Sequence, residues 1–376
     1  MLRNFPILGF ALASVLEARA WPNLSLLPSS NSILGIGKHK ECPPFNKGNF
    51  TIDYFQLYPE NADWDAHSCQ VIFGSLWNGS VAIYNPYLSQ ITQSLTFPGV
   101  TNTGTYHIGG VAFDPLSNLY TILTDPAAAW DTEGGDLRGD HLLIKYNPIT
   151  NHTLWTLNLT TLTHERYGGF QDVETDRRGN TYVVGTFPGT ILRADKHGRE
   201  IKEWYLPDPF PTVTPGTPFA KGGFGGLAAV PGTEILLSND GDGQIYRFDM
   251  RADRGHPVAV PITPKVLYND TDAIYLPPKY GGSVLLVASH GSGVQVLRSR
   301  DKRWERAEYV GTVEVEYPRD EEFPQGEGVT VAVTQIGPSG LYVILGFGDL
   351  PWVEERWRAG GGGFRCRILR GKLKLC

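Results

Sequence analysis

An all-β fold, a six-bladed β-propeller with four-stranded blades, is predicted by three features of this 376-residue sequence. A short phrase recurs along the chain: two small or polar residues, a hydrophobic stretch often closed by Asp, a turn, then a β run ending in Gly or Ser. Its copies begin at Glu60-Asn61, Gly109-Gly110, Gln171-Asp172, Gly225-Gly226, Thr271-Asp272 and Glu327-Gly328. A spacing of about fifty residues suits one blade per copy, because each unit buries its faces only against its neighbours. Turn residues between alternating apolar runs supply the hairpins, as at Trp77-Asn78-Gly79, Pro188-Gly189, Asp240 to Gly243 and Gly291-Ser292-Gly293. Asp114-Pro115 and Asp176 to Gly179 mark the opposite hairpin, where the inner strand turns back.

Taken in order, residues 1–20 carry a basic Arg3, an apolar run from Phe5 to Leu16 and the small-residue cleavage signal Ala18-Arg19-Ala20, the pattern of a secretory signal peptide. Residues 21–48 lack periodicity and read as an exposed leader, and residues 49–376 as the propeller. Alternation begins at Phe50 to Leu57, a strand that precedes the first full repeat. It is expected to join the last blade as its outer strand and so remove an open sheet edge. No later stretch approaches the roughly 18 uninterrupted apolar residues of a membrane span.

Export agrees with six acceptor sequons, at Asn23, Asn49, Asn78, Asn151, Asn158 and Asn269. Cys42, Cys69, Cys366 and Cys376 allow two disulfides in three connectivities, and a bond from Cys42 or Cys69 to Cys366 would reinforce ring closure. The cysteines do not show metal-ligand spacing. With 39 acidic against 33 basic residues and no polybasic run, nucleic acid is an unsuitable partner.

Two insertions, Asp125 to Asp140 and Pro207 to Gly223, interrupt the repeats, and strand direction puts both over the rim where the phrases begin. Glu60, Asp172, Asp272 and Glu327 are expected to converge on the channel from different blades. Neighbouring carboxylates raise one another's pKa, so an acid and base pair is available, with Glu60 and Glu327 adjoining as the ring closes. The plainer reading is that these groups cap inner strands and bind channel water. A calcium or magnesium ion among hard oxygen ligands is a third. Around them, Trp77, His107, Trp130, Phe187, Asp240, His290, Phe347 and Trp352 are the candidate lining of a pocket for an apolar molecule with a few oxygens. Singly, each aromatic is better explained by packing between blades. No Gly-x-Ser-x-Gly elbow, phosphate loop or dinucleotide fingerprint is present, which removes support for serine-nucleophile, phosphoryl-transfer and redox chemistry.

Tyr58-Pro59-Glu60-Asn61 followed by Phe73 to Gly79 resembles the first blade of a family of secreted fungal propellers that includes the trichothecene-cluster protein of mycotoxin producers and the Malassezia propeller allergen. The resemblance implies secretory-pathway entry and a role in secondary metabolism, host interaction or binding of lipid-like molecules. More distantly, the phrase is similar to that of calcium-dependent lactonases and strictosidine synthase-like propellers. Glu60 fits the lactonase metal role, whereas Gly109, Gly225 and Gln171 depart from it.

Together these readings set the expectation of a secreted or lumenal monomer without a cofactor that binds an oxygenated apolar small molecule. It would assist a non-redox step such as cyclisation, isomerisation or allylic substitution, a protonated Glu60 or Glu327 helping a leaving oxygen while Asp172 or Asp272 takes a proton. The competing expectations are a non-catalytic effector or allergen that sequesters lipid or metabolite, and a metal-dependent hydrolase.

Overall fold

Each repeat becomes an antiparallel meander because its alternating runs are separated by residues that turn easily. The Asp that closes the hydrophobic stretch shows why. Asp65 Oδ1 accepts the backbone N–H groups of His67 and Ser68 at 2.8 and 3.0 Å, and Asp176 Oδ1 those of Arg178 and Asn180 at 2.8 and 2.9 Å. Such Asx turns satisfy backbone donors that the hairpin leaves without a ladder partner. The computed structural model describes residues 41–54, 57–211, 216–219, 223–266, 269–315 and 329–346 and the backbone of Phe364–Arg370, all within the unit His39–Lys372. The residues expected to form a signal peptide and most of those expected to form the leader lie outside the described residues.

The chain begins with β1 (Phe50–Tyr54) and then builds the first blade from β2 (Pro59–Asp65), β3 (Gln70–Ser75), β4 (Ser80–Asn85) and β5 (Gln90–Thr96). The second is β6 (Tyr106–Asp114), β7 (Leu119–Pro126), β8 (Leu142–Asn147) and β9 (His152–Asn158), with a short helix α1 (Ala127–Asp131) inserted after β7. A single helical turn, α2 (Thr160–Thr163), leads to the third blade: β10 (Gly168–Thr175), β11 (Thr181–Phe187), β12 (Thr190–Ala194) and β13 (Ile201–Tyr205). The fourth is β14 (Phe224–Ala229), β15 (Ile235–Asp240), β16 (Ile245–Asp249) and the two-residue β17 (Val258–Ala259). The fifth takes β18 (Ile262–Thr263), β19 (Thr271–Tyr275), β20 (Val284–Ser289), β21 (Gly293–Arg298) and β22 (Ala307–Val313), and the last β23 (Val329–Ile336), β24 (Gly340–Gly346) and β25 (Phe364–Arg370).

The last sheet runs β1-β25-β24-β23, so the strand that precedes the first repeat does supply the outer edge of the final one, Phe50 facing Ile368 and Tyr54 facing Phe364. Inner strands β2, β6, β10, β14, β19 and β23 touch in that order, and β23 returns to β2. The expectation of uniformly four-stranded blades, six in number, is corrected by the sheet pattern: five sheets have four strands, and the sheet of β19 to β22 has five. There the linker leaving β17 crosses to the neighbouring sheet and pairs in parallel with β22 through β18, with the Ala307 N–H donating to Pro261 O at 2.9 Å. Pro264 follows directly and cannot donate to a ladder, so the added strand stops after two residues.

Apolar side chains seal the seams between sheets. Trp204, Trp304, Tyr182, Phe73 and Tyr342 are all fully buried, and Trp304 Nε1 finds Gly282 O at 3.0 Å. The end of the supposed leader belongs to this packing: Phe45 is buried against Phe50, Tyr87 and Tyr342. A disulfide joins Cys42 to Cys69, fastening that segment to the first hairpin rather than to Cys366. That bond occupies both cysteines expected to reach Cys366, and the ring closes instead through the hydrogen bonds of β1 to β25.

Candidate ligand-binding mouth and channel

All six inner strands show a register shift where they enter the sheet. In five it falls on the recurring phrase: between Pro59 and Ala62, Ile108 and Val111, Phe170 and Asp172, Phe224 and Leu227, and Thr271 and Ile274. A bulge admits an extra residue and re-aims the side chains beside it. In β23 the shift lies between Thr330 and Ala332, so Thr330 matches Pro59, and Val331 and Ala332 stand where Glu60 and Asn61 stand in β2. Glu327 lies outside the described residues.

Glycine in the phrase lets neighbours approach. A Cβ on Gly110 would sit 3.1 Å from Gln171 O and 3.3 Å from Asp172 Cα, and one on Gly226 2.7 Å from Ile274 N. Across this bare position the Asn61 side chain of the first blade reaches the third, donating to Asp172 Oδ1 at 2.8 Å.

Below the phrase, three acids face a cavity of about 100 Å³ lined also by Asn61, Ala112, Tyr275 and Val333. Each joins two blades through the backbone. Asp63 accepts from Trp64 N at 2.7 Å and from Phe113 N at 2.8 Å; Asp172 accepts from Val173 N and Leu227 N, both at 2.8 Å; Glu174 accepts from Thr175 N at 2.8 Å and Ala229 N at 3.1 Å. Burial pushes Asp63 up to about 6 and Glu174 up to about 7, and raises Asp172 well above the usual carboxylate range. The mutual repulsion of Asp63 and Glu174 adds to this, and the backbone N–H groups oppose it.

At the mouth, His107 of β6 faces Asp125 of β7 across the ladder. Asp125 Oδ1 pairs with His141 Nδ1, both residues being fully buried, and also accepts from Phe170 N at 3.3 Å. Burial works against a charge on His141, but the Asp125 carboxylate outweighs it and holds the imidazole above its usual value. His107 lacks such a bond and burial pushes it down to about 4. Its ring meets Trp77 edge-on, centroids 5.0 Å apart. The two insertions close over this cluster and are hydrogen-bonded to each other, Gly216 N to Gly135 O at 2.8 Å and Phe219 N to Glu133 O at 3.0 Å. Trp130 and Phe219 flank Phe187 beneath them, centroids 5.2 and 5.9 Å away, with Leu137 and Ala129.

On the fourth and fifth blades, His290 Nε2 lies 2.9 Å from Asp272 Oδ2, and Thr271 Oγ1 donates to Asp240 O at 2.8 Å while accepting from Asn239 Nδ2 at 2.9 Å. Asp272 is buried and His290 about one-third exposed, so this pair is open to solvent where the channel acids are not. Among the described residues no group of three or more His, Cys, Asp and Glu side chains is arranged to hold a metal ion.

No family model matches the chain. Trichothecene biosynthesis protein 14 of Trichoderma arundinaceum is 31% identical over 310 residues, which span 77% of this chain and 83% of that protein. The chain belongs to the trichothecene biosynthesis protein 14 family. A second member, core trichothecene cluster protein 14 of Fusarium sporotrichioides, is 29% identical over 295 residues, 73% of this chain and 75% of the relative. Among solved structures, the major Malassezia sympodialis allergen Mala s 1 superposes with a TM-score of 0.69 at 18% identity, over 88% of this chain and 98% of the allergen. Regucalcin of Agrobacterium tumefaciens, a calcium-binding protein, superposes at 0.50 and 14% identity, over 88% and 96%. At those identities the two structures show a shared propeller fold and nothing of chemistry. With the disulfide, membership of this family marks a secretory-pathway protein related to secondary metabolism.

Within this family member, the residues singled out from sequence separate into groups. Asp172 joins the channel acids; Asp240, Asp272 and His290 come together on one side of the mouth; Trp77 and His107 meet, as do Trp130 and Phe187. Glu60 ends up half-buried at the start of β2. Phe347 and Trp352, like Glu327 and Asn23, lie outside the described residues. Of the sequons, Asn49, Asn151 and Asn269 are exposed, whereas Asn78 is buried with its amide donating to Ser80 Oγ at 2.8 Å, leaving no room for a glycan there. Asp63, Glu174 and His141 escaped notice, whereas Asp125 was marked only as the start of the first insertion and a neighbour of Trp130. The period-two alternation that follows Asn61 and Asp172 into the channel would have picked out Asp63 and Glu174; nothing local distinguishes His141, which meets Asp125 only through the insertion.

Proposed function

We propose that this chain is a secretory-pathway propeller that binds an oxygenated, largely apolar metabolite of a trichothecene-type pathway at its mouth and holds it without turnover. The observation that carries this reading is the engagement of the channel acids: Asp63, Asp172 and Glu174 are each occupied by backbone N–H groups of two blades, and so serve the ring rather than a substrate. What the mouth offers a ligand is the half-buried Trp130 and Phe219 and the partly exposed His290, aromatic surface with a few polar groups as in a small-molecule site. Kinship with trichothecene proteins supplies the ligand class.

Tryptophan fluorescence titration with trichothecene alcohols tests it, with mass spectrometry of the same mixtures for products. Saturable binding without new products is expected, with affinity about tenfold weaker in Trp130→Ala and in Phe219→Ala, on the scale of a lost aromatic contact. Product formation that vanishes in an acid-to-amide variant would reverse the conclusion. A second, catalytic reading is favoured by the Asp272–His290 pair, a partly exposed imidazole oriented by a carboxylate as a general base is. Under it, His290→Gln would abolish turnover while binding persists.

A further inference from the structure

On the rim opposite the mouth, three turns share one construction. Asn85-Pro86-Tyr87-Leu88, Asp114-Pro115-Leu116 and Asn147-Pro148-Ile149 each start with an Asx side chain followed by proline. Asn85 Oδ1 accepts from Leu88 N at 3.0 Å, Asp114 Oδ1 from Leu116 N at 2.9 Å and Asn147 Oδ1 from Ile149 N at 2.9 Å. The apolar residue is thus pinned at the tip of a stiff turn, and it stands in water: Leu88 is 62% exposed, Leu116 69% and Ile149 67%. They are the most exposed large apolar side chains among the described residues, and all three belong to the first two blades. Holding an apolar side chain outward on a fixed turn gains nothing for folding.

On the third to fifth blades several tips of this rim carry exposed bases, Arg177, Lys196, Arg254, Lys279, Lys302 and Arg303 among them, which outnumber the exposed Glu200, Asp253, Asp301 and Glu305 beside them. The mouth rim is acidic on balance, with exposed Asp131, Glu133, Asp140, Asp208 and Asp270 against exposed Arg138, Arg166 and Lys265. The chain as a whole has a net charge of -6, so the basic rim arises from sorting of charge between the two rims and not from composition.

We propose that this rim docks on an anionic bilayer surface, with Leu88, Leu116 and Ile149 entering the headgroup region, the basic tips against the lipid phosphates and the mouth facing away. A flat membrane is the partner that engages separate tips on five blades at once, whereas a protein site needs a continuous patch. Charge polarity sets the orientation, because the acidic mouth is repelled by the surface that attracts the opposite rim. No helix among the described residues is long and apolar enough to cross a membrane, so attachment is peripheral. The inference does not depend on the ligand reading.

Co-sedimentation of the intact chain with phosphatidylcholine vesicles, with and without phosphatidylserine, decides it. Binding is expected to the mixed vesicles, to weaken as salt is raised, and to fall about tenfold or more in the Leu88→Asp, Leu116→Asp, Ile149→Asp triple variant. Since that variant alters three turns, a second one, Arg177→Glu with Lys196→Glu and Lys302→Glu, changes only exposed tips and is expected to lose the same binding. Failure of the intact chain to bind the mixed vesicles at low salt, equal binding by both variants, or binding to soluble heparin but not to vesicles would overturn the proposal.

Discussion

Asp63, Asp172 and Glu174 show how a buried carboxylate is tolerated when backbone donors surround it. No lysine or arginine lines their cavity. Their cost therefore appears as raised pKa values. The folded chain holds protons on Asp63 up to about pH 6 and on Glu174 up to about pH 7, whereas in the unfolded chain both are lost nearer pH 4. Their contribution to stability is fully present below the unfolded values and disappears as pH rises through 6 to 7. Urea midpoints measured between about pH 5 and 8 should therefore fall with rising pH, and the slope should flatten in the Asp63→Asn, Glu174→Gln double variant. An unchanged slope would mean that other groups carry the pH dependence.

At the scale of the strand, the bulge of each inner strand decides which residues face the channel, and glycine decides how closely adjacent strands pass. Gly109 and Gly226 make a matched test. A Cβ at Gly109 meets nothing nearer than 3.6 Å, an ordinary contact, but at Gly226 it would lie 2.7 Å from the backbone nitrogen of Ile274 and 3.1 Å from Ala273 Cα. Backbone atoms of the next blade's inner strand, held in their own ladder, cannot step aside. Gly226→Ala should destabilise by about 2 kcal/mol or more, and Gly109→Ala by less than about 1 kcal/mol, in thermal or urea unfolding. Equal effects would show that the inner strands slide more freely than their packing suggests.

For the molecule as a whole, closure rests on chain segments far apart in sequence. β1 pairs with β25, Tyr342 Oη donates to Lys47 O at 2.6 Å, and the Cys42–Cys69 disulfide ties the entering chain to the first blade across 27 residues. A cross-link of that loop length stabilises by about 3 to 4 kcal/mol when its main effect is on the unfolded chain. Replacing both cysteines by serine should lower stability by about that amount, read from urea unfolding under non-reducing conditions. Reduction of the native chain should reproduce the loss. A variant as stable as the parent would mean that β1 pairing alone holds the ring.

The strand repeat, the hairpin turns, the closing role of the segment at Phe50 and passage through an oxidising compartment were all legible in the sequence, because alternation, turn residues and cysteine content act locally or through composition. Asp172 could be placed in the channel and the two insertions over one rim on the same basis. Only the tertiary structure decided that Asp172 clamps two blades alongside Asp63 and Glu174, that Asp125 pairs with His141, that Cys42 takes Cys69, that β18 adds a fifth strand, and that Val331 begins the last phrase. Asp125–His141, Cys42–Cys69 and β18 depend on where an insertion, the entering segment and a linker return to a sheet, whereas the Asp172 clamp and the last phrase depend on how one blade sits against the next. That offset is set by bulges that shift register by a single residue, a displacement too small to alter the repeat yet large enough to change every partner across a seam.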